Sequence, residues 1–433
     1  MKKTALFIFL LFLSLSAFSQ ENTLISLAFL NYLKKAKYDE AYPYFDQSIA
    51  DKVTVQTLED LWNNTQAKLG MFLTAQGSTN ELKDSTETVI VKSKFESIDL
   101  DIKFVFNSKH KIIGFFFLPA KETIAPYLEP SYEDKSLYKE QAVSIKTKDN
   151  LKLPASFVVP KQKKKFPIVI FIHGSGPSDK DETVGPTKIF RDMAVGLAKQ
   201  GIASLRFDKR TKVNPEQFIT NNNFTADDEV INDAIDALKF AKKLEGVDSN
   251  SIYIIGHSLG GMLAPKINER YPALRGIILM AANARPLQDL IVEQVTYINS
   301  LDGLTDNETL QISQLTAQLE ITKDASKIIS HTVLGLPASY WIDLNNYNQV
   351  KVAEKLTNKM LVLQGERDYQ VTMEDFKIWK ESLAMKENVS VKSYPALNHL
   401  FIEGIGKSIP AEYKKAGNVP EYVIIDIADF INK

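Results

Sequence analysis

Ser251-Ile252-Tyr253-Ile254-Ile255-Gly256-His257-Ser258-Leu259-Gly260-Gly261 is the stretch whose reading decides the fold. The apolar run reads as a buried strand that passes straight through a G-x-S-x-G turn into a helix. Such a turn holds its central residue on strained backbone with the side chain exposed, which makes Ser258 the candidate nucleophile. Gly256 and Gly260 flank it because a Cβ at either place would meet neighbouring backbone. The helix opening at about Leu259 turns its amide N–H groups and the positive end of its dipole toward the same spot. Developing negative charge is stabilised there, which favours acyl transfer.

Outward from this turn, the chain alternates strand and helix. Val143 to Lys146 and Leu153 to Val159 read as an opening antiparallel pair, and Pro167 to Ile172 as a central buried strand. A helix from about Lys188 to Lys199 and a strand from Ile202 to Phe207 follow. Thr225 and Asp228 are placed to cap a helix that carries Ile231, Ile235 and Leu238 on one face. The strand Gly276 to Ala281 comes after the turn, and the alternation resumes with the strand Met360 to Gln364, the helix Phe376 to Leu383, the strand Val389 to Tyr394 and the helix Glu421 to Ile431. This order predicts a mostly parallel sheet covered on both faces. Between them, residues 283–350 read as helices only, an insertion that would lie over the carboxyl ends of the strands as a lid.

A serine nucleophile needs a base to take its proton and an acid to orient that base. Two late strands are followed by suitable residues: Asp368 in Gly365-Glu366-Arg367-Asp368 and His399 in Leu397-Asn398-His399. Of the five histidines, His399 is the one placed to act as the base. His257 is expected to be structural with its ring turned away, His173 to shape the loop after the central strand, His331 to serve packing or surface in the lid, and His110 to sit exposed in a turn. His173-Gly174-Ser175-Gly176-Pro177 follows the central strand, where the second oxyanion donor is expected. The donors are assigned to the backbone N–H groups of Ser175 and Leu259, with Gly176 the alternative to Ser175. Lid residues Tyr297, Leu334, Leu336, Tyr340 and Trp341 are candidates for an acyl pocket or for the core of the lid.

The first part of the chain has a different rhythm. Leu24, Leu27, Leu30 and Leu33, then Leu58 and Trp62, recur at helical spacing within residues 22–68. Ile98, Leu100, Ile102, Phe104 and Phe106 then alternate with polar residues, a half-buried strand that is followed by a partner at Lys111 to Leu118. Residues 22–120 therefore form an α+β domain, and Pro119, Pro126 and Pro130 mark a linker over 121–138, leaving 139–433 for the larger domain. Ahead of both, residues 1–19 carry a charged start, an apolar run and the small-residue end Ala17-Phe18-Ser19. That is the pattern of a cleaved signal peptide, so the mature chain is expected in the periplasm or outside the cell, with no stable membrane insertion.

With 433 residues, 52 basic and 53 acidic side chains and 44% hydrophobic content, the chain has material for two domains. The near-neutral balance gives no pull toward nucleic acid or an anionic membrane. The absence of cysteine rules out disulfides and thiol chemistry.

The motifs His173-Gly174-Ser175-Gly176, Leu205-Arg206-Phe207-Asp208-Lys209-Arg210, Gly256-His257-Ser258-Leu259-Gly260-Gly261, Gly365-Glu366-Arg367-Asp368 and Leu397-Asn398-His399 are similar to those of a serine α/β-hydrolase of the esterase and acyl-peptidase-like branch. The order nucleophile, acid, histidine is that of this family, and the offset of Asp368 from its strand fits it better than that of Glu366. Relatives often continue Asp-Lys-Arg with Gly, whereas Thr211-Lys212 follows here. Residues 22–120 resemble the small NTF2-like (DUF3887-like) domain found ahead of such hydrolases, by element order and by Gly114-Phe115-Phe116-Phe117-Leu118-Pro119. The resemblance implies a small-molecule ester as substrate, cleaved through an acyl-enzyme with no metal or organic cofactor. The same triad would also serve a serine peptidase, amidase or thioesterase, and a non-catalytic binding protein on this scaffold is the reading of another class.

Overall fold

The computed structural model describes residues 21–50, 52–83, 86–120, 125–221, 223–324, 326 and 332–433. The expected signal segment and His331 lie outside them. The chain divides into two compact units, Met1–Thr123 and Ile124–Lys433.

In the first unit a helix over residues 21–34 and a helix Val55–Leu69 accompany a four-stranded antiparallel sheet. Its strands β1 (Phe72–Lys83), β2 (Thr86–Phe95), β3 (Asp99–Phe106) and β4 (Ile112–Pro119) pair in sequence order. Thr54 caps the second helix by accepting the Thr57 N–H, and Gly70 follows its end at φ 78°. Phe29, Leu30, Leu33, Leu58, Trp62, Phe104 and Phe106 form the core. The expected stripe on the first helix is half right: Leu30 and Leu33 are buried, whereas Leu24 is 60% exposed. A repeat of three residues slips by about 60° of helix rotation at each step, so four such leucines cannot share one face. The buried side is instead Asn22, Ser26, Phe29, Leu30 and Leu33. His110, expected exposed in its turn, is half-buried there at φ 56° and contacts the Asn22 side-chain oxygen at 2.8 Å through Nδ1, tying the turn to the first helix.

The second unit is built on an eight-stranded sheet. Its strands are β5 (Tyr138–Lys146), β6 (Lys152–Pro160), β7 (Phe166–Ile172), β10 (Ala203–Phe207), β11 (Val247–His257), β12 (Gly276–Met280), β13 (Lys359–Gly365) and β14 (Val389–Tyr394), while β8 (Thr183–Val184) and β9 (Thr187–Lys188) make a separate small hairpin. The order is β14-β13-β12-β11-β7-β10-β6-β5. From β10 to β14 neighbouring strands pair in parallel, and β6 runs against both of its neighbours.

The central strands are apolar on both sides, as a sheet covered on both faces requires. Ile168, Ile170, Ile254, Ile277 and Val362 face the helices Asn232–Ala241, Leu259–Arg270 and Met373–Ser382. Val169, Phe171, Ile255, Ile278 and Leu363 face Ile189–Lys199 and Glu421–Asn432. The expected cap is present: the Thr225 N–H donates to Asp228 Oδ2 at 2.9 Å, and the Asp228 N–H points back to Thr225 Oγ1. One correction concerns the linker. Residues after 124 belong to the larger unit: the Tyr127 hydroxyl donates to Asp192 at 2.6 Å, and the buried Tyr132 hydroxyl donates to the Val419 carbonyl at 2.8 Å. The prolines signalled irregular backbone, but the tyrosines between them supply apolar rings with hydroxyls that find buried partners.

Candidate active site

Ser258 sits between β11 and the helix Leu259–Arg270 at φ 53° and ψ −119°. Only a turn fixed from both sides keeps a non-glycine residue in that region. A Cβ on Gly256 would run into the Gly260 carbonyl, and one on Gly260 into the Ile172 carbonyl. The two glycines thus let strand, turn and helix close against β7. The Ser258 N–H donates to the Met280 carbonyl at 2.9 Å and locks the turn to β12.

Asp368 and His399 reach the site from the carboxyl ends of β13 and β14. The His399 Nδ1–H donates to Asp368 Oδ2 at 2.7 Å, with both side chains almost fully buried. Asp368 is itself held by the N–H groups of Gln370 and Val371 at 2.7 and 3.0 Å and by Gln364 Nε2 at 3.1 Å. These donors fix the direction of the carboxylate. Glu366, the rival acid, is exposed and accepts from Ser393 Oγ at 2.7 Å, away from the imidazole.

Ser258, His399, Ser175 and Leu259 line one cavity of about 560 Å³. Lid residues Leu287, Leu290, Ile291, Leu334, Leu336 and Trp341 form its apolar wall, so the insertion covers the carboxyl ends of the strands as expected. Of the five lid candidates, Leu334, Leu336 and Trp341 line this cavity. The Tyr340 hydroxyl instead donates to buried Glu229 at 2.6 Å, and the Tyr297 hydroxyl to the Ser408 carbonyl at 3.0 Å. Among the described residues no Lys or Arg lines the cavity, and no group of three or more His, Asp or Glu is arranged to hold a metal ion.

The loop after β7 is clamped at Gly174. Its N–H donates to Glu182 Oε1 at 2.6 Å, and its carbonyl accepts from Lys209 Nζ at 2.9 Å. A trans peptide points its carbonyl and the next N–H in opposite directions, so the Lys209 contact turns the Ser175 N–H to the far side of that peptide. A Cβ on Gly174 would sit 3.1 Å from that of Ser258, which is how closely loop and nucleophile approach. The basic segment after β10 is thus scaffold: Lys209 pairs with Glu229, and Arg210 with Asp233 and Asp149. Sequence reasoning missed Lys209 and Glu182 as parts of the site, since Lys209 acts on the Gly174 carbonyl and Glu182 on His257, each remote from it in the chain.

The family model described as serine aminopeptidase, S33, matches residues 168–403, which hold Ser258, Asp368, His399, the loop after β7 and the lid. The chain belongs to this hydrolase family. A second model, a protein of unknown function (DUF3887), matches residues 26–115 of the hydrolase. Esterase EstD of Thermotoga maritima is 37% identical over 419 residues, 96% of both chains. Among solved structures, a Pyrococcus furiosus esterase, Pf2001, is 17% identical with a TM-score of 0.44, covering 72% of the hydrolase and 98% of its own chain. Est1E from Butyrivibrio proteoclasticus is 18% identical with a TM-score of 0.44, covering 67% and 97%.

The remaining histidines divide by environment. His173 is buried between the rings of Phe190 and Phe207, and its Nε2–H donates to the Asp179 carbonyl at 3.0 Å. Burial pushes its pKa down to about 4, so it stays neutral. His257 does not simply turn away. Its Nε2–H donates to the main-chain carbonyl of His399 at 2.9 Å.

Proposed function

We propose that this protein is an exported carboxylic-ester hydrolase that works through an acyl-enzyme. The observation that carries the reading is one cavity lined by Ser258 on its strained turn and by His399, whose other ring nitrogen is held by Asp368. In this reading Ser258 Oγ attacks the ester carbonyl while His399 Nε2 takes its proton. The carbonyl oxygen, now negative, is received by the N–H groups of Ser175 and Leu259. As the tetrahedral intermediate collapses, the C–O bond to the alcohol breaks and His399 returns the proton to the leaving oxygen. Water then repeats the sequence on the acyl-enzyme and releases the acid. Asp368 stays ionised and holds the imidazole in the tautomer with a free Nε2.

The apolar lid wall and the lack of a Lys or Arg among the described lining residues favour esters whose acyl group is uncharged. The name of the Thermotoga relative supports the ester class. Export rests on the charged, apolar and small-residue pattern of residues 1–19.

The test is hydrolysis of a series of p-nitrophenyl esters by the mature chain and by Ser258→Ala. The expected result is turnover by the first and a loss of at least about 10⁴-fold in the second with folding unchanged. Retained turnover in Ser258→Ala would reject the assignment. Matched amide and thioester substrates, turned over more slowly, would fix the ester preference.

A further inference from the structure

A second acid–imidazole pair lies beside Ser258 and His399 and has no part in the acyl-transfer steps. Glu182 is buried, and its backbone takes φ 49°, a left-handed conformation that an L side chain adopts at a cost. One carboxylate oxygen receives the Gly174 N–H. The other, Oε2, lies 3.3 Å from His257 Nδ1, at ion-pair distance. Neither of these two atoms has a hydrogen bond of good alignment among the described residues. On the far side of the ring, His257 Nε2 meets the His399 carbonyl at 2.9 Å, and the two imidazole centroids are 4.7 Å apart.

These contacts decide the protons. A carbonyl oxygen only accepts, so His257 Nε2 carries hydrogen. A proton must lie between Nδ1 and Glu182 Oε2, where two bare lone pairs would oppose each other, and the Gly174 N–H on the other oxygen favours the ionised carboxylate, which leaves the proton on the ring as an ion pair. The geometry points to Glu182 and His257 as a buried carboxylate–imidazolium pair that positions the oxyanion loop through Gly174 and the base through the main chain of His399. Both are positioning residues, and the inference rests on the reading of His399 as base.

Burial disfavours charge on both partners, yet each outweighs it for the other: His257 holds the Glu182 carboxyl below its ordinary range, and Glu182 raises His257 above its own. The charges around the pair are few. Asp368 faces His257 from the loop after β13, and neutral His173 faces Glu182 from the end of β7. Lys209 is occupied by Glu229 and the Gly174 carbonyl, and the Asp179 carboxylate by Thr183. A lone imidazolium beside His399 would oppose the positive charge that the base acquires on taking the Ser258 proton. Glu182 removes that opposition while keeping both donor directions of His257 in use.

The proton count is read by NMR of the full chain labelled with ¹⁵N-histidine at pH 8, the His257 signals being assigned by their absence in His257→Gln. Both ring nitrogens of His257 should be protonated in the wild-type chain, and Glu182→Gln should return it to one proton. A neutral His257 in the wild-type chain would overturn the pair whatever the kinetics of Glu182→Gln. In kinetics, Glu182→Gln should lower kcat on the order of 10- to 100-fold with KM within about twofold, as expected when an oxyanion donor is misplaced. The double variant Glu182→Gln/His257→Gln should lose no more than the worse single variant, because the residues act as a unit. Losses that multiply, or that appear in KM alone, would reject the positioning role. A wild-type chain inactive on esters, or an active Ser258→Ala, would instead count against the esterase reading, and the proton count would still judge the pair.

Discussion

His399 Nδ1 donates to Asp368 Oδ2 at 2.7 Å, a bond between the loops that follow two adjacent strands, β13 and β14. Because three further donors hold Asp368, the imidazole is fixed in direction before any substrate arrives. That preorganisation suits a base, whose ring must present a free Nε2 to the nucleophile.

Asp368→Asn would keep the shape and spoil the tautomer. An amide can donate to Nδ1, which moves the ring proton to Nε2 and leaves nothing to accept the serine proton. The expected result is a fall in kcat of about 10⁴-fold with an unchanged melting temperature. Steady-state kinetics beside a thermal melt measure both, and a fall below tenfold would deny Asp368 its role.

Lys209→Met should separate catalysis from binding. Without the Nζ contact, the Gly174 carbonyl is released and the Ser175 N–H loses its direction, so kcat should drop about 10- to 100-fold with little change in KM. Glu229 would also be left buried beside an apolar side chain, at a cost of about 3–5 kcal/mol in stability. Lys209→Met/Glu229→Gln should recover much of that stability and none of the activity. Denaturation and kinetics on both variants check the split.

Gly174→Ala tests how closely the loop approaches the nucleophile. The added methyl would lie 3.1 Å from both the Ser258 Cβ and Glu182 Oε1. Loop and turn must separate to admit it, and kcat should fall at least about tenfold, since misplacement by a fraction of an ångström is costly here. Wild-type kinetics in this variant would show that the loop yields freely.

His173 should make stability depend on pH. Its folded pKa of about 4 lies below the ordinary value of about 6.5, so the unfolded chain takes the proton first. The contribution is complete above about pH 6.5 and is lost as pH falls toward 4, by about 3 kcal/mol in all. Denaturant midpoints at pH 7.5 and 5 should diverge in the wild-type chain and less so in His173→Gln. Equal divergence would assign the pH dependence to other groups.

The lid wall should set acyl length. Trp341 and Leu290 are both almost fully buried and line the cavity. Trp341→Ala should shift the best kcat/KM toward longer acyl chains, whereas Tyr340→Phe, which alters a hydroxyl bound to Glu229, should leave the ranking of chain lengths unchanged. A chain-length series on the two variants decides the point.

Much of this protein follows from neighbouring residues alone. The glycines of the turn at Ser258, the apolar runs of β7 and β11, and the loops that carry Asp368 and His399 are local patterns, because strand period and turn sterics act over a few residues. A mostly parallel sheet covered on both faces and the expectation that three side chains gather at its carboxyl edge follow from those patterns. The tertiary structure alone decided which polar residues meet across the chain. Glu182 is one carboxylate among many until packing brings it against His257, and Lys209 is one base in a basic segment until β10 lies beside β7. The same holds for Tyr340 and Trp341, neighbours on one helix whose rotation sends one ring to the core and the other to the cavity. Such pairings depend on the summed packing of elements far apart in sequence, and no local pattern carries that information.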